Sequence, residues 1–314
     1  MHEILVISGK GGTGKTSLTA AFAHLSDQQV ICDLDVDAPD LHLLLDPDRA
    51  ETHEFWAGHT AAVAPERCTQ CGQCHAVCRY GAVSDTAEGF AIDPIRCEGC
   101  KVCVALCPDG AIDFIPKQCG EWYASSTRFG PMVHAQLFPA EENSGLLVSL
   151  LRKQAKAMAA QRGARQILSD GPPGIGCPVI SALSGQDLAV IVTEPTPSGH
   201  HDLERVMTLC AHFRIPAAVI INKCDLSPDF CRTIEAQCTR QDVPVVARLP
   251  HDPAVTHAMV QRKAITEYSA DGISADIRQT WRHILSLLDR RPKIINPFEP
   301  LKEKYHGNPD RRSL

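Results

Sequence analysis

Two groups of residues in this chain have types and spacings that could do chemistry. The first is Gly9-Lys10-Gly11-Gly12-Thr13-Gly14-Lys15-Thr16-Ser17. It fits G-x-x-x-x-G-K-[ST], a pattern that cradles phosphate. The glycines let the backbone turn tightly and aim several N–H groups at one anion. A helix opening near Thr16 adds its positive N-terminal end. In this pattern Lys15 reaches the outer phosphates and the Thr16 hydroxyl ligates Mg²⁺. The second group is Cys68-x2-Cys71-x2-Cys74-x3-Cys78, repeated as Cys97-x2-Cys100-x2-Cys103-x3-Cys107-Pro108. This spacing holds two [4Fe–4S] clusters, each run giving three thiolates to one cluster and its fourth to the other. The crossover assigns Cys68, Cys71, Cys74 and Cys107 to one cluster, and Cys97, Cys100, Cys103 and Cys78 to the other. Arg79 stands where the usual proline would follow Cys78; Pro108 keeps it in the second run.

Carboxylates supply a third element. Asp33, Asp35 and Asp37 alternate just past the apolar strand Gln29–Asp33. Carboxylates there can order Mg²⁺-bound water or an attacking water. Asp170 ends a second strand and leads into Gly171-Pro172-Pro173-Gly174. A strand ending in aspartate before a Gly/Pro turn is expected to hold Mg²⁺ through water and to sense the outermost phosphate. Asn222-Lys223-Cys224-Asp225 reads as a base-recognition motif that leaves ATP and GTP both open.

The surrounding pattern is strand, loop, helix. Ile4–Ile7 precedes the glycine loop. Leu188–Thr193, Ala217–Ile221 and Val243–Ala247 are strands separated by helices, including Ser198–Phe213 and others from about Pro253 and Gly272. Strands spaced by helices mean an α/β fold, with a mostly parallel sheet and helices on both faces. Glu121–Tyr123 and Pro131–Ala135 read as strands that return from the cysteine stretch, and a long helix runs from the Glu141–Gly145 segment to about Arg162. Both runs of cysteines lie between the glycine loop and Asp170. The nucleotide fold is therefore interrupted by a small α+β insert of the bacterial ferredoxin type. The expected divisions are 1–60 and 118–290 for the nucleotide domain, 61–117 for the insert and 291–314 for an extended tail.

Composition narrows the class. The chain has 314 residues, 44% hydrophobic and 22% charged, the balance of a globular protein. A net charge of −6 gives no electrostatic footprint for nucleic acid. No apolar run approaches the ~18 residues of a membrane span, and the start at Met1-His2-Glu3 shows no signal segment. Fifteen cysteines without an export signal argue for metal or cluster binding in a reducing cytoplasm rather than for disulfides.

Lys10 adds a resemblance. The form K-G-G-x-G-K-T, with D-x-P-P-G at Asp170–Gly174, resembles the MinD/ParA/Mrp group of dimerising P-loop ATPases, to which the nitrogenase iron protein also belongs. The resemblance implies ATP as nucleotide, and a homodimer in which Lys10 reaches the partner's nucleotide. It implies that Asp35 positions the attacking water, that Asp33 lies near the Mg²⁺ shell and that Asn222 contacts the base. Lys10, Lys15, Asp35 and Asp170 are thus the expected catalytic residues. The expected nucleotide contacts are Gly9 through Ser17, with Asn222 and Asp225. Thr16, Asp33 and Asp170 are expected around Mg²⁺. Cys177 matches a cluster-ligating cysteine of the nitrogenase iron protein, but its second cysteine has no counterpart here. A small residue packed behind the Asp170–Gly174 turn, the second switch of that group, is therefore expected at that position. Cys231 and Cys238 are expected to be buried apolar residues. The implied activity is slow, partner-stimulated ATP hydrolysis that gates electron transfer to a redox partner. The alternative is a scaffold or carrier in iron–sulfur cluster assembly, with a cluster-acceptor protein as partner. Membrane attachment is not expected.

Overall fold

The computed structural model describes residues 1–141 and 143–289. The expected tail, 291–314, lies outside the described residues. The first part alternates strand and helix: β1 (His2–Ser8), α1 (Lys15–Leu25), β2 (Gln29–Asp33) and the short α2 (Leu41–Leu45). A long strand, β3 (Asp48–Val63), leads out to the cysteine stretch, which contains α3 (Gln73–Val77), the hairpin β4 (Val83–Thr86) and β5 (Gly89–Ile92), and α4 (Val102–Leu106). The chain returns along β6 (Ile112–Thr127) and turns into β7 (Gly130–Leu137). Alternation then resumes with α5 (Ser144–Arg162), β8 (Gln166–Pro173), α6 (Cys177–Leu183), β9 (Leu188–Thr193), α7 (Pro197–His212) and β10 (Ala217–Asn222). It closes with α8 (Pro228–Arg240), β11 (Val245–Leu249), α9 (Pro253–Val260), α10 (Ile265–Tyr268) and α11 (Ile273–Asp289).

One nine-stranded sheet organises the chain, in the order β11-β10-β9-β1-β8-β2-β7-β6-β3. The pairs from β11 to β7 are parallel; β6 runs against β7 and β3 against β6. A parallel sheet needs cover on both faces, and the alternation along β1 meets that need. Leu5 and Ile7 point into a core with Leu147 and Leu151 of α5 and Leu203 of α7. Ile4 and Val6 point the other way, toward Phe22 of α1 and Trp281 and Ile284 of α11. The Phe22 and Trp281 rings stack at 4.8 Å.

The cysteine stretch hangs on a two-stranded stem. β3 pairs with β6 from Asp48 opposite Ser126 to Val63 opposite Ile112. Its two halves repeat a local geometry. Gln70 and Gly99 take φ of 59° and 61°, Gly72 and Lys101 take 78° and 65°, and Gly81 and Gly110 take 62° and 60°. Neither α3 nor α4 contains a buried residue. Apolar burial there is confined to a few residues at the root, such as Ala82, Val83, Ala111 and Ile112. A unit this small needs some other source of cohesion.

Candidate nucleotide and cysteine sites

The glycine loop lies between the end of β1 and the start of α1, as its pattern requires. Gly14 has φ of 90°, and a Cβ there would sit 2.4 Å from the Asn222 amide nitrogen. Any other residue there would strain the backbone and displace the Asn222 amide. Gly11 through Ser17 line a cavity of about 460 Å³ together with Asp35, Pro173 and Asn222. Apolar side chains, Leu18, Val255, Met259, Ile265, Ile273 and Ile277, line the same cavity alongside Asp40, His251 and Asp252. The cavity thus offers backbone N–H groups, charge and apolar surface, the three kinds of contact that phosphates, Mg²⁺ and a base take.

Parallel pairing of β2 and β8 brings the carboxylates together, with Asp33 directly opposite Asp170. Lys15 Nζ lies 2.8 Å from Asp170 Oδ2 and 3.4 Å from Asp35 Oδ2. Thr16 Oγ1 donates to Asp170 Oδ2 and Thr19 Oγ1 to Asp170 Oδ1, each at 2.8 Å. Burial works to lower the Lys15 pKa, but the fields of Asp170, Asp35 and Asp33 outweigh it and hold the ammonium above its usual range. Burial, with Asp170 beside it, drives the Asp33 carboxyl well above the usual carboxylate range. Burial also raises Asp35, against the pull of Lys15. Asp33 Oδ1 accepts from the Asp35 N–H at 3.1 Å, while its buried Oδ2 lacks a partner among the described residues, as does the buried hydroxyl of Thr13. Three carboxylates facing one lysine leave a negative surplus suited to a divalent cation. Asp37 is exposed and joins none of this.

Lys10 is held within its own chain. Its Nζ lies 2.5 Å from Glu194 Oε1 and donates to Ser198 Oγ at 2.9 Å. Glu194 Oε2 lies 3.3 Å from Lys223 Nζ, which itself donates to the Gly12 carbonyl at 2.9 Å. Partial burial would raise the Glu194 carboxyl, but the hydrogen bonds from Lys10 and Lys223 prevail and hold it below its usual range. Neither Glu194 nor Thr19 stands out in the sequence. The available signals were an acid right after the buried strand Leu188–Thr193, and a threonine one turn past Lys15 in an otherwise apolar helix.

The base-recognition motif divides. Asn222 reaches the loop, its Nδ2 donating to the Thr13 carbonyl at 2.8 Å. Asp225 does not face the cavity as a free acceptor. Its Oδ1 accepts from the His251 N–H at 2.6 Å, and the cavity wall beside it is formed by Pro250, His251 and Asp252. Asp225 stands beside the residues that line the cavity, through its bond to His251. The turn after Asn222 brings the carboxylate onto the backbone that follows β11. Cys177 departs from expectation. It is exposed at the start of α6 rather than packed behind the switch. Cys231 and Cys238 are buried as expected.

The patterned cysteines fall into two sets. Cys68, Cys71, Cys74 and Cys107 line one small cavity, with Phe90, Ala111 and Ile112. Cys78, Cys97, Cys100 and Cys103 line another, with Tyr80, Ala82 and Val83. Backbone N–H groups point at four of the sulfurs: Gln70 at Cys68 (3.4 Å), Ala82 at Cys78 (3.3 Å), Ala61 at Cys97 (3.5 Å) and Ala111 at Cys107 (3.3 Å). Such bonds favour the thiolate. At Cys97 burial works against that trend, but the N–H groups of Ala61 and Gly99 prevail and lower its pKa. Among the described residues, no three His, Cys, Asp or Glu side chains converge tightly enough to hold one metal ion. No described helix is long and apolar enough to cross a membrane.

Comparison with known proteins agrees with the nucleotide site. An uncharacterized protein of Methanocaldococcus jannaschii is 35% identical over 224 residues, covering 70% of this chain and 78% of the relative. The cell division ATPase MinD of Pyrococcus furiosus superposes with a TM-score of 0.56 at 17% identity, covering 91% of this chain and 99% of its own. The septum site-determining protein MinD of Pyrococcus horikoshii, solved with Mg-ADP, gives 0.56 at 17% identity, with 93% and 99% covered. Those two likenesses concern the fold. The model of the CobQ/CobB/MinD/ParA nucleotide binding domain matches residues 4–265, a span that contains the glycine loop, the carboxylates and Asn222. This chain belongs to that family.

Proposed function

We propose that this chain is a dimerising ATPase that carries two [4Fe–4S] clusters and uses its nucleotide state to gate electron transfer to a protein partner. The observation that carries this reading is the division of eight cysteines into two sets of four around two cavities, on a stem rooted in the sheet of a nucleotide-binding fold. A cube of four irons spreads its thiolates wider than a single ion does. A lone tetrahedral zinc would need sulfurs roughly 3.8 Å apart, from its ~2.3 Å bonds. The N–H groups aimed at four sulfurs suit a cluster, whose potential depends on such bonds. When bound, the clusters supply one-electron storage.

The nucleotide end fits ATP and Mg²⁺. The glycine loop would take the phosphates, and Thr16, Asp33 and Asp170 would surround Mg²⁺, which would neutralise phosphate charge. Lys15 would turn from Asp170 to the phosphates. Asp35 would orient a water toward the outer phosphorus, giving ADP and phosphate. Lys10 would leave Glu194 and act across the dimer. Membership of the MinD/ParA nucleotide-binding family supports ATP as the nucleotide. The exposed thiol of Cys177 favours a second reading, a carrier in cluster assembly.

One experiment separates the two readings. Protein purified without oxygen is expected to hold about eight irons and eight sulfides per chain, from two [4Fe–4S] clusters. Reduced protein is then mixed with a cluster-free acceptor or a redox dye, with and without ATP. Electrons moving without iron support the gated reductase, and iron moving to the acceptor supports the carrier. About four irons, or zinc alone, would sink both.

A further inference from the structure

The two halves of the cysteine stretch are built alike but anchored differently. Pro65 and Cys68 in the first half correspond to Pro94 and Cys97 in the second, and the turns at Gln70 and Gly99 share their φ. The first half bonds locally. Arg67 donates to the Gly110 carbonyl at 2.8 Å and pairs with Asp113, and Thr69 donates to Asp109.

The second half is tied to the nucleotide-binding body. Lys117 Nζ donates to the Pro94 carbonyl at 3.1 Å and pairs with Glu141 at 2.7 Å. Both side chains are largely buried, at 18% and 11% exposure. Beside this pair lies a cavity of about 400 Å³, walled by Cys97, Glu98 and Gly99 on one side and Ala140, Glu141 and Asn143 on the other. An ion pair thus bridges two surfaces that have room to approach or separate.

From Glu141 the contacts continue to the phosphate loop. Asn143 caps α5. A Cβ on Gly145 in its first turn would lie 3.4 Å from the side chains of both Cys177 and Ser181 on α6. The turn before α6 contains Gly174, whose N–H donates to the Ser8 carbonyl at 2.8 Å, next to the glycine loop. A rearrangement of the Asp170–Gly174 turn on phosphate binding would press on α6, then on the start of α5. No corresponding ion pair links the Cys68 half to this body among the described residues.

We propose that the Lys117–Glu141 pair makes the Cys78, Cys97, Cys100 and Cys103 set the nucleotide-sensing cluster site and leaves the Cys68, Cys71, Cys74 and Cys107 set indifferent to nucleotide. This rests on the two-cluster reading above. Lys117 and Glu141 are positioning residues. A cation beside the Cys97 loop stabilises an added electron, and a carboxylate opposes it. Shifting Glu141 relative to Lys117 therefore changes how readily that set is reduced.

The test uses the full-length protein with its iron content verified. Both cluster midpoints are followed by electron paramagnetic resonance without nucleotide, with ADP and with a slowly hydrolysed ATP analogue. One midpoint is expected to shift about tenfold in reduction equilibrium, or ~59 mV, between ADP and the analogue, while the other stays still. Lys117→Gln should lower that same midpoint and Glu141→Gln should raise it, a sign reversal that a purely structural role would not give. Both variants should lose the nucleotide-dependent shift, and the exchange Lys117→Glu with Glu141→Lys should restore part of it. Asp109→Asn, beside the first set, should raise only the insensitive midpoint. Equal movement of both midpoints, a shift that survives in both single variants, or an Asp109→Asn effect on the sensitive signal would each overturn the inference. A wild-type protein with eight irons and no nucleotide response would refute this inference but leave the clusters standing. A protein without iron would refute the underlying reading as well.

Discussion

At the residue scale the site rests on competition among charges. Lys15 faces Asp170 and Asp35 at 2.8 and 3.4 Å and must exchange them for phosphate. Lys15→Ala leaves that phosphate charge unmet and is expected to abolish nucleotide binding in a titration. Lys10→Ala should bind nucleotide nearly normally yet lose at least about 100-fold in turnover, the scale of removing a preorganised charge from a transition state. Normal turnover in that variant would remove Lys10 from the mechanism. The Lys10–Glu194 pair adds a further expectation. Its side chains are 30% and 13% exposed, so the pair is worth at most ~1 kcal/mol. Lys223 neutralises Glu194 when Lys10 leaves, so release costs little. Glu194→Gln should tighten analogue-dependent dimerisation about fivefold in sedimentation, and should do nothing in a Lys10→Ala background. The glycine loop, Asp170 and the cysteine sets were legible because each is a short run with its own chemistry. Glu194 was not, because its role depends on β9 lying beside β1, a pairing of residues far apart in sequence.

At the element scale, α2 and the stem of the cysteine stretch meet at a buried histidine. His134 on β7 is 2% exposed, bonds Ser125 Oγ at 2.9 Å and stacks at 6.4 Å on His42 of α2. Burial, with Arg49 and His42 adding to it, lowers its pKa to about 4. The unfolded chain takes up this proton near pH 6.5, whereas the folded chain takes it up only near 4. Stability from this group is therefore full above about 6.5 and falls by about 3 kcal/mol as the pH drops to 4. The difference in unfolding free energy between wild type and His134→Gln should show that slope between pH 6.5 and 4 and be flat above it. A difference independent of pH would show that His134 takes up its proton at the same pH in the folded and unfolded states. The stem itself was only half legible. The returning strands near Tyr123 and Val133 were visible as apolar runs, but β3 was not. Its sequence, Asp48 to Val63, has mostly exposed residues at its start and three irregularities in its register with β6. A strand whose only partner lies beyond the whole cysteine stretch leaves no local period. Helix α6 was missed for a related reason, since it is short and opens with Cys177-Pro178 after a glycine turn.

At the scale of the whole molecule, the question is whether the two chemistries share free energy. The stem leaves the sheet after β2 and α2, which follow Asp33 and Asp35, and returns before β8, which carries Asp170. The arms that carry the cysteines, β3 and β6, extend this same sheet, and β7 joins them to β2, the strand that ends at Asp33. The segments that follow Asp33 and Asp170 would change their contacts when the outer phosphate is released. Linkage then works in both directions. If the analogue shifts one cluster by about tenfold relative to ADP, reducing that cluster must change the ratio of analogue to ADP affinity by the same factor. That is ~1.4 kcal/mol, within the ~1–3 kcal/mol usual for coupling between sites. The measurement is nucleotide binding by calorimetry on oxidised and on fully reduced protein, at one salt concentration and one pH. The expected result is a tenfold change in the affinity ratio, with its sign fixed by the titration: if the analogue raises the midpoint, reduced protein must prefer the analogue. Equal ratios in both redox states would show that the clusters and the nucleotide ignore one another. The cysteine stretch would then be an independent passenger on the sheet, and the carrier reading would replace the gated one.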